Sequence, residues 1–248
     1  MRNVIGILSG KGGVGKTTVA VNLALLMHKL GEEVIAVDGN LKNPNFSLHL
    51  GIFEHDLTIH DVLSTEISIL EALHIHPSGL RFVPASLSLG YLGLDIDSSK
   101  LKGLFKDISG TILIDSPPGL SKEVFSILET CDQVLIVTNP HLPDITDCLK
   151  LIEIAKDLDK EILGIVLNKV RGKSYEVSKE EVENISNTRV VACIPWDENI
   201  IKSLAQKTPV VEFKPFSKAS IALQRFSHEL IGKEYKSPRF LKIRRIFS

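Results

Sequence analysis

Short unbroken apolar runs recur along the chain, and most end in a polar residue. Residues 4–8, 34–37, 111–114, 133–138, 162–167 and 190–194 show no alternating polar face, as expected of strands covered on both sides. Residues 81–83 make a shorter candidate. Between the runs lie stretches of helical spacing. The clearest is 19–30, which stops at Gly31; others fall at 121–130, 144–158, 198–205 and 217–231. Short helices are expected over 59–73 and another over 100–108, while 39–47 reads as irregular. Strand and helix alternate throughout, which predicts an α/β fold: a mainly parallel sheet with helices on both faces.

Ligands of such sheets bind at the carboxyl ends of the strands. Four polar motifs fall there. After the first strand, Ser9 to Thr18 reads SGKGGVGKTT. It fits the phosphate-loop pattern G-x-x-x-x-G-K-[ST], with Gly10, Gly15, Lys16 and Thr17 in the fixed places and a strand and a helix on either side. Gly10, Gly12, Gly13 and Gly15 let the backbone, including that of Val14, aim its N–H groups at one anion. The N-terminus of the following helix, near Thr18, adds partial positive charge. Lys16 is placed to reach the β- and γ-phosphates and Thr17 to ligate Mg²⁺. Asp38 closes the second strand. Asp115 closes another in the manner of a Walker B aspartate, and a carboxylate there suits hard Mg²⁺. Asn168 closes a later one.

Lys11 is not required by an ordinary phosphate loop. With it, the loop resembles the deviant Walker A motif, K-G-G-x-G-K-[ST], of the MinD/ParA family of P-loop ATPases. The resemblance covers roughly residues 1–230. It implies ATP and Mg²⁺ as ligands and a nucleotide-sandwich homodimer in which Lys11 reaches the partner's phosphates. Asp115-Ser-Pro-Pro-Gly119 is similar to the family's switch II, with Asp115 serving Mg²⁺. Asp38 and Asn45 match switch I, where Asp38 is expected at the metal and in catalysis. Asn40 departs from it, because the family has a second aspartate there that orients the attacking water. An amide can accept a hydrogen bond from water but cannot take its proton, so hydrolysis is expected to be slow. Asn168, with Pro195 and Asp197 at a later strand end, resembles the family's adenine-binding elements. No Asn-Lys-x-Asp sequence occurs, which disfavours guanine.

Composition adds little until the ends are compared. The chain has 248 residues, 44% hydrophobic, enough for one well-buried α/β domain. Met1 leads almost directly into the first strand and no apolar run is long enough to span a bilayer, so a cytoplasmic protein is expected. Cys131, Cys148 and Cys193 lack C-x-x-C spacing, which argues against zinc and iron–sulfur roles and predicts reduced core or near-core thiols. His74 and His76 lack the carboxylate or helical spacing of a metal pair. Trp196 is expected to pack. Arg239, Lys242, Arg244 and Arg245 lie in the last ten residues without an acid; removing them from 29 basic residues leaves 25 against 30 acidic. A basic tail on an acidic body points polyanions to the tail.

These features divide the chain into an ATPase domain (1–232), a linker (233–238) and a tail (239–248). The tail resembles the C-terminal membrane-targeting helix of MinD proteins. At 100° per residue Phe240, Ile243, Ile246 and Phe247 share one arc; Leu241 falls on the polar side but is apolar. The family implies an ATPase that dimerises on ATP, binds an anionic membrane surface through this tail and is released on hydrolysis by an activating protein. It would position cell-division or other polar machinery. Alternatives within the superfamily are a DNA-segregation ATPase, which the acidic body argues against, and a flagellar-number regulator.

Overall fold

The computed structural model describes residues 2–65, 67–88 and 98–237. Among them eight strands make one sheet: β1 (Arg2–Leu8), β2 (Val34–Asp38), β3 (His74–Ile75), β4 (Arg81–Val83), β5 (Gly110–Asp115), β6 (Gln133–Thr138), β7 (Glu161–Val170) and β8 (Val190–Pro195). Their order is β3-β4-β2-β5-β1-β6-β7-β8. Every neighbouring pair is parallel except β3 with β4. The expected fold class is the one observed.

The apolar runs are continuous because each strand feeds two cores. Val4 and Leu8 of β1, Ile112 and Ile114 of β5, and Val134 and Ile136 of β6 face one layer. Ile5 and Ile7, Leu113, and Leu135 and Val137 face the other. Burying each such side chain stabilises by roughly 1.5–3 kcal/mol before chain entropy is counted. Helices α3 (Ile59–Ser64), α4 (Lys122–Thr130), α5 (Leu142–Asp157) and α6 (Lys179–Ser186) contribute to the first core. Helices α1 (Lys16–Lys29), α2 (Phe46–Leu50), α8 (Val210–Phe213) and α9 (Lys218–Leu230) contribute to the second. Helix α7 (Glu198–Ala205) is short and buries little, but Ser203 is covered and Ile200 packs on the second core.

Several expectations are corrected. The helix expected over 100–108 is a 3₁₀ turn at Ser98–Leu101 followed by further turns. Gly103, at φ 107°, takes a conformation that no α-helix accommodates. In the segment 59–73 helix stops at Ser64, where Thr65 is extended. The stretch 39–47 expected to be irregular ends in helix, because its last two residues, Phe46 and Ser47, open α2, which runs on to Leu50. Cys193 is exposed, whereas Cys131 and Cys148 are buried; all three are free thiols. Trp196 lies substantially in solvent with the Arg171 guanidinium 4.5 Å over its ring. His74 and His76 each place Nε2 against a backbone carbonyl, that of Leu57 and Leu50 respectively. No described helix is long and apolar enough to cross a membrane. The tail residues Phe240, Leu241, Ile243, Ile246 and Phe247 lie outside the described residues.

Candidate active site

The carboxyl ends of β1, β2, β5 and β7 meet around one cleft of about 440 Å³. Its floor is the loop from Ser9 to Gly15. Gly15 caps α1 at φ 93°, and a Cβ there would collide with the amide nitrogen of Asn168. Glycine is therefore demanded twice, by the left-handed backbone and by the close approach. Gly10 is demanded by packing, because a Cβ would stand 2.6 Å from the backbone oxygen of Asp147 on α5.

Lys16 is the first residue of α1 and only 6% exposed. Its Nζ donates to Asp115 Oδ1 at 2.7 Å, which places a phosphate-binding cation beside the Walker B carboxylate. The other oxygen, Asp115 Oδ2, is buried without a hydrogen-bond partner among the described residues, and so is Ser9 Oγ. A buried carboxylate oxygen without a donor is costly. It is also what a divalent cation requires, so the donor set of Asp115, Thr17 and Ser9 fits Mg²⁺.

Asp38 stands in register with Asp115 on the adjacent strand and is fully buried. Burial, with the neighbouring Asp115 charge, pushes its carboxyl up to about 7. Its two oxygens accept from the backbone N–H groups of Asn40 (3.0 Å) and Phe46 (3.1 Å), so Asp38 starts α2 and ties it to the site. Asn40 lines the cleft. Its Nδ2 donates to the Asn43 carbonyl at 2.6 Å and its Oδ1 accepts from the Asn43 N–H at 3.3 Å. Asn45 also donates to that carbonyl. Across the cleft, Gly119 N–H donates to the Ser9 carbonyl at 2.9 Å, so the Pro117-Pro118-Gly119 turn is bound to the phosphate loop.

Asn168 lies within β7, which runs three residues past the expected end. Its Nδ2 donates to the Val14 carbonyl at 2.7 Å. The next residue, Lys169, takes φ 59° and donates from Nζ to the Gly13 carbonyl at 2.5 Å. Both residues thus brace the phosphate loop from the far strand. The sequence reading missed Lys169, although its position beside Asn168 was a usable signal. Pro195 ends β8 opposite Val170. Asp197 caps α7 through Asn199 N–H and reaches Ala219 N–H of α9 at 3.0 Å. These bonds outweigh its burial and hold its carboxyl below the usual range. Neither Pro195 nor Asp197 borders the cleft; Ile200, Ile201 and Leu204 of α7 do, as does His49. These four were not singled out from sequence.

Lys11 is half exposed at the cleft mouth, its Nζ 3.0 Å from Asp144 Oδ1 at the start of α5. Asn139 donates to the other Asp144 oxygen at 3.1 Å. Gly12, Gly13 and Thr18 also line the cleft. Lysines 11, 16 and 169 surround a loop of backbone donors, an arrangement that binds polyphosphate.

Comparison with known proteins agrees with this chemistry. Residues 1–231 match the ParA family, described as NUBPL iron-transfer P-loop NTPase. An uncharacterised ATP-binding protein of Methanocaldococcus jannaschii is 33% identical over 240 residues, covering 96% of this chain and 90% of that protein. The structure of the cell division ATPase MinD of Pyrococcus furiosus superposes with a TM-score of 0.88 at 34% identity, over 94% of this chain and 99% of that one. The septum site-determining protein MinD of Pyrococcus horikoshii, solved with Mg-ADP, gives 0.88 at 31% identity, over 93% and 96%. A Walker loop that carries a second lysine, set in this sheet and matched over nearly the whole chain, shows that the protein belongs to the ParA family of P-loop NTPases, among the MinD-like ATPases.

Proposed function

We propose that this chain is a slow, MinD-like ATPase that dimerises on ATP, binds an anionic membrane surface through its tail and is released on hydrolysis. The observation that carries the reading is the pair of lysines in one loop. Lys16 is committed to the buried floor beside Asp115, while Lys11 sits at the mouth on an ion pair it can exchange. One lysine therefore serves the bound phosphates, and the other is available to a second molecule's.

In this reading the backbone of Gly12 to Thr17 and Lys16 hold the ATP phosphates, and Thr17 and Asp115, with Asp38 behind them, hold Mg²⁺. The ion neutralises charge that develops on the phosphate oxygens. Asn168 and the apolar residues of α7 flank the base. Hydrolysis is slow because Asn40 supplies no carboxylate and its amide is engaged by Asn43. One amphipathic tail of nine or ten residues is marginal as a free helix. Two on a dimer gain roughly a hundredfold in effective binding, so nucleotide switches membrane attachment through dimerisation. An activating protein would accelerate release.

Cosedimentation of the full chain with anionic liposomes and, separately, with DNA, each with and without ATP, tests this. Binding to liposomes with ATP, lost on deleting residues 239–248 or changing Phe240 and Phe247 to Asp, is the expected result. ATP-dependent binding to DNA instead would replace the membrane reading with the segregation reading.

A further inference from the structure

His49 occupies a position that the phosphate loop and the two switches leave unexplained. It lies on α2, the five-residue helix hung from the Asp38 carboxylate through Phe46 N–H. Phe46 and Leu50, one turn apart, anchor that helix in the core beneath α1. This turns the intervening His49 toward the cleft, which it lines together with Lys16, Thr17, Asn40 and Pro118. It lies close enough to feel the charges of both Asp115 and Lys16.

The neighbouring histidines are structural: even His55, whose ring nitrogens find no hydrogen-bond partner among the described residues, packs edge-on against His74 and Phe82 and does not line the cleft. His60 holds the Leu41 carbonyl and the Ser86 N–H. His74 and His76 hold backbone carbonyls. The His49 ring makes no hydrogen bond to any described residue, although it is largely buried. Burial pushes its imidazole below the ordinary value, with Lys16 acting in the same direction against the pull of Asp115. A neutral imidazole offers one donor and one acceptor nitrogen. His49 lines a cleft built for a triphosphate, and Asn40, which lines the same cleft, has its amide tied to Asn43.

We propose that His49 is a catalytic residue of ATP hydrolysis, taking the proton of the attacking water, which the Asn40 amide cannot accept. The inference rests on the ATPase reading above. As the water oxygen bonds to the γ-phosphorus, the bond from that phosphorus to the β,γ-bridging oxygen breaks and its electron pair leaves with ADP. The water's proton passes to the imidazole nitrogen and is returned to solvent when phosphate departs. Phosphoryl transfer asks mainly for positioning and little for a strong base, so a neutral imidazole at the γ-phosphate suffices.

The test is single-turnover hydrolysis of radiolabelled ATP by the full chain and its His49→Ala and His49→Gln variants, with ADP affinity measured on each. His49→Ala should hydrolyse about a hundredfold more slowly, and His49→Gln, which keeps a hydrogen-bonding end, less so. ADP affinity should stay within about twofold of wild type. Added imidazole should restore part of the rate in His49→Ala, and none in Lys16→Ala; a packing role would not produce that rescue. Wild-type turnover in His49→Ala, or a slowed His49→Ala with weakened ADP binding and no rescue, would overturn the assignment while leaving the ATPase reading intact. A wild-type chain that binds ADP but never cleaves ATP would overturn both.

Discussion

Lys11 Nζ stands 3.0 Å from Asp144 Oδ1 of its own chain. Burial works against the Asp144 charge, but Lys11 and Asn139 together hold its carboxyl below the usual range. A lysine that serves a partner's nucleotide must first leave this carboxylate. Partly exposed pairs of this kind are worth about 0.2–1 kcal/mol, and a symmetric dimer breaks two. Asp144→Asn should therefore tighten ATP-dependent dimerisation severalfold, and Lys11→Ala should abolish it while sparing nucleotide binding. Sedimentation velocity with and without ATP reads both. A Lys11→Ala protein that still dimerises with ATP would dismiss the trans role.

The Lys16–Asp115 pair behaves differently because it is buried. Removing one partner strands a charge, at about 3–5 kcal/mol. Lys16→Ala should thus lose stability as well as Mg-ADP binding, and Asp115→Asn should lose Mg²⁺ dependence with a smaller stability cost. The double variant should be less unstable than the sum of the two by about 1 kcal/mol or more. Urea unfolding without nucleotide measures this, and strict additivity would mean that the pair is not coupled.

Asn40 is braced by its own loop. In Asn40→Asp the Nδ2 donor to Asn43 becomes an oxygen facing an oxygen, so the brace is lost at about 1 kcal/mol. The new carboxylate, freed into the cleft, adds the water-orienting group that the amide lacks. Single-turnover hydrolysis should rise about tenfold, with a modest fall in thermal stability. An equal or lower rate would show that position 40 does not limit the chemistry.

How far the sequence disclosed this site depends on the range of each interaction. The phosphate loop, Asp38 and Asp115 were legible because their roles are fixed by position at strand ends. Lys11–Asp144 and Asn168–Val14 were not, because folding joins residues more than a hundred positions apart. His49 was hidden for another reason: a five-residue helix is too short to register as a period. Helix α6 was missed because Val182 is its one buried large apolar residue. Yet Ser178 and Glu181 form a capping box, a signal present in the sequence. The antiparallel β3 pairs only His74 and Ile75, too few for any alternation to show.

Lys42, in the loop after β2, reaches Glu123 in the first turn of α4 at 2.5 Å. The contact ties the loop that carries Asn40 to the helix that follows the Pro117-Pro118-Gly119 turn, so the two loops expected to respond to nucleotide are joined by one ion pair. The Lys42 hydrogen bond is the main cause that lowers the Glu123 carboxyl from 4.5 to about 2. The folded state therefore favours the ionised form. The pair's contribution is present above pH 4.5 and is lost as pH falls toward 2. Lys42 is largely in solvent, so the contribution is under about 1 kcal/mol despite the size of the shift. Glu123→Gln should accordingly be slightly less stable than wild type at pH 7 by chemical denaturation. The gap should narrow between pH 4.5 and 2 and shrink in high salt. Freed of its tie, the loop from Gly39 to Asn45 should also be cleaved faster by limited proteolysis at neutral pH, with Mg-ADP restoring part of the protection. A stability gap that persists unchanged at pH 2 would mean that Glu123 acts through packing and not through its charge.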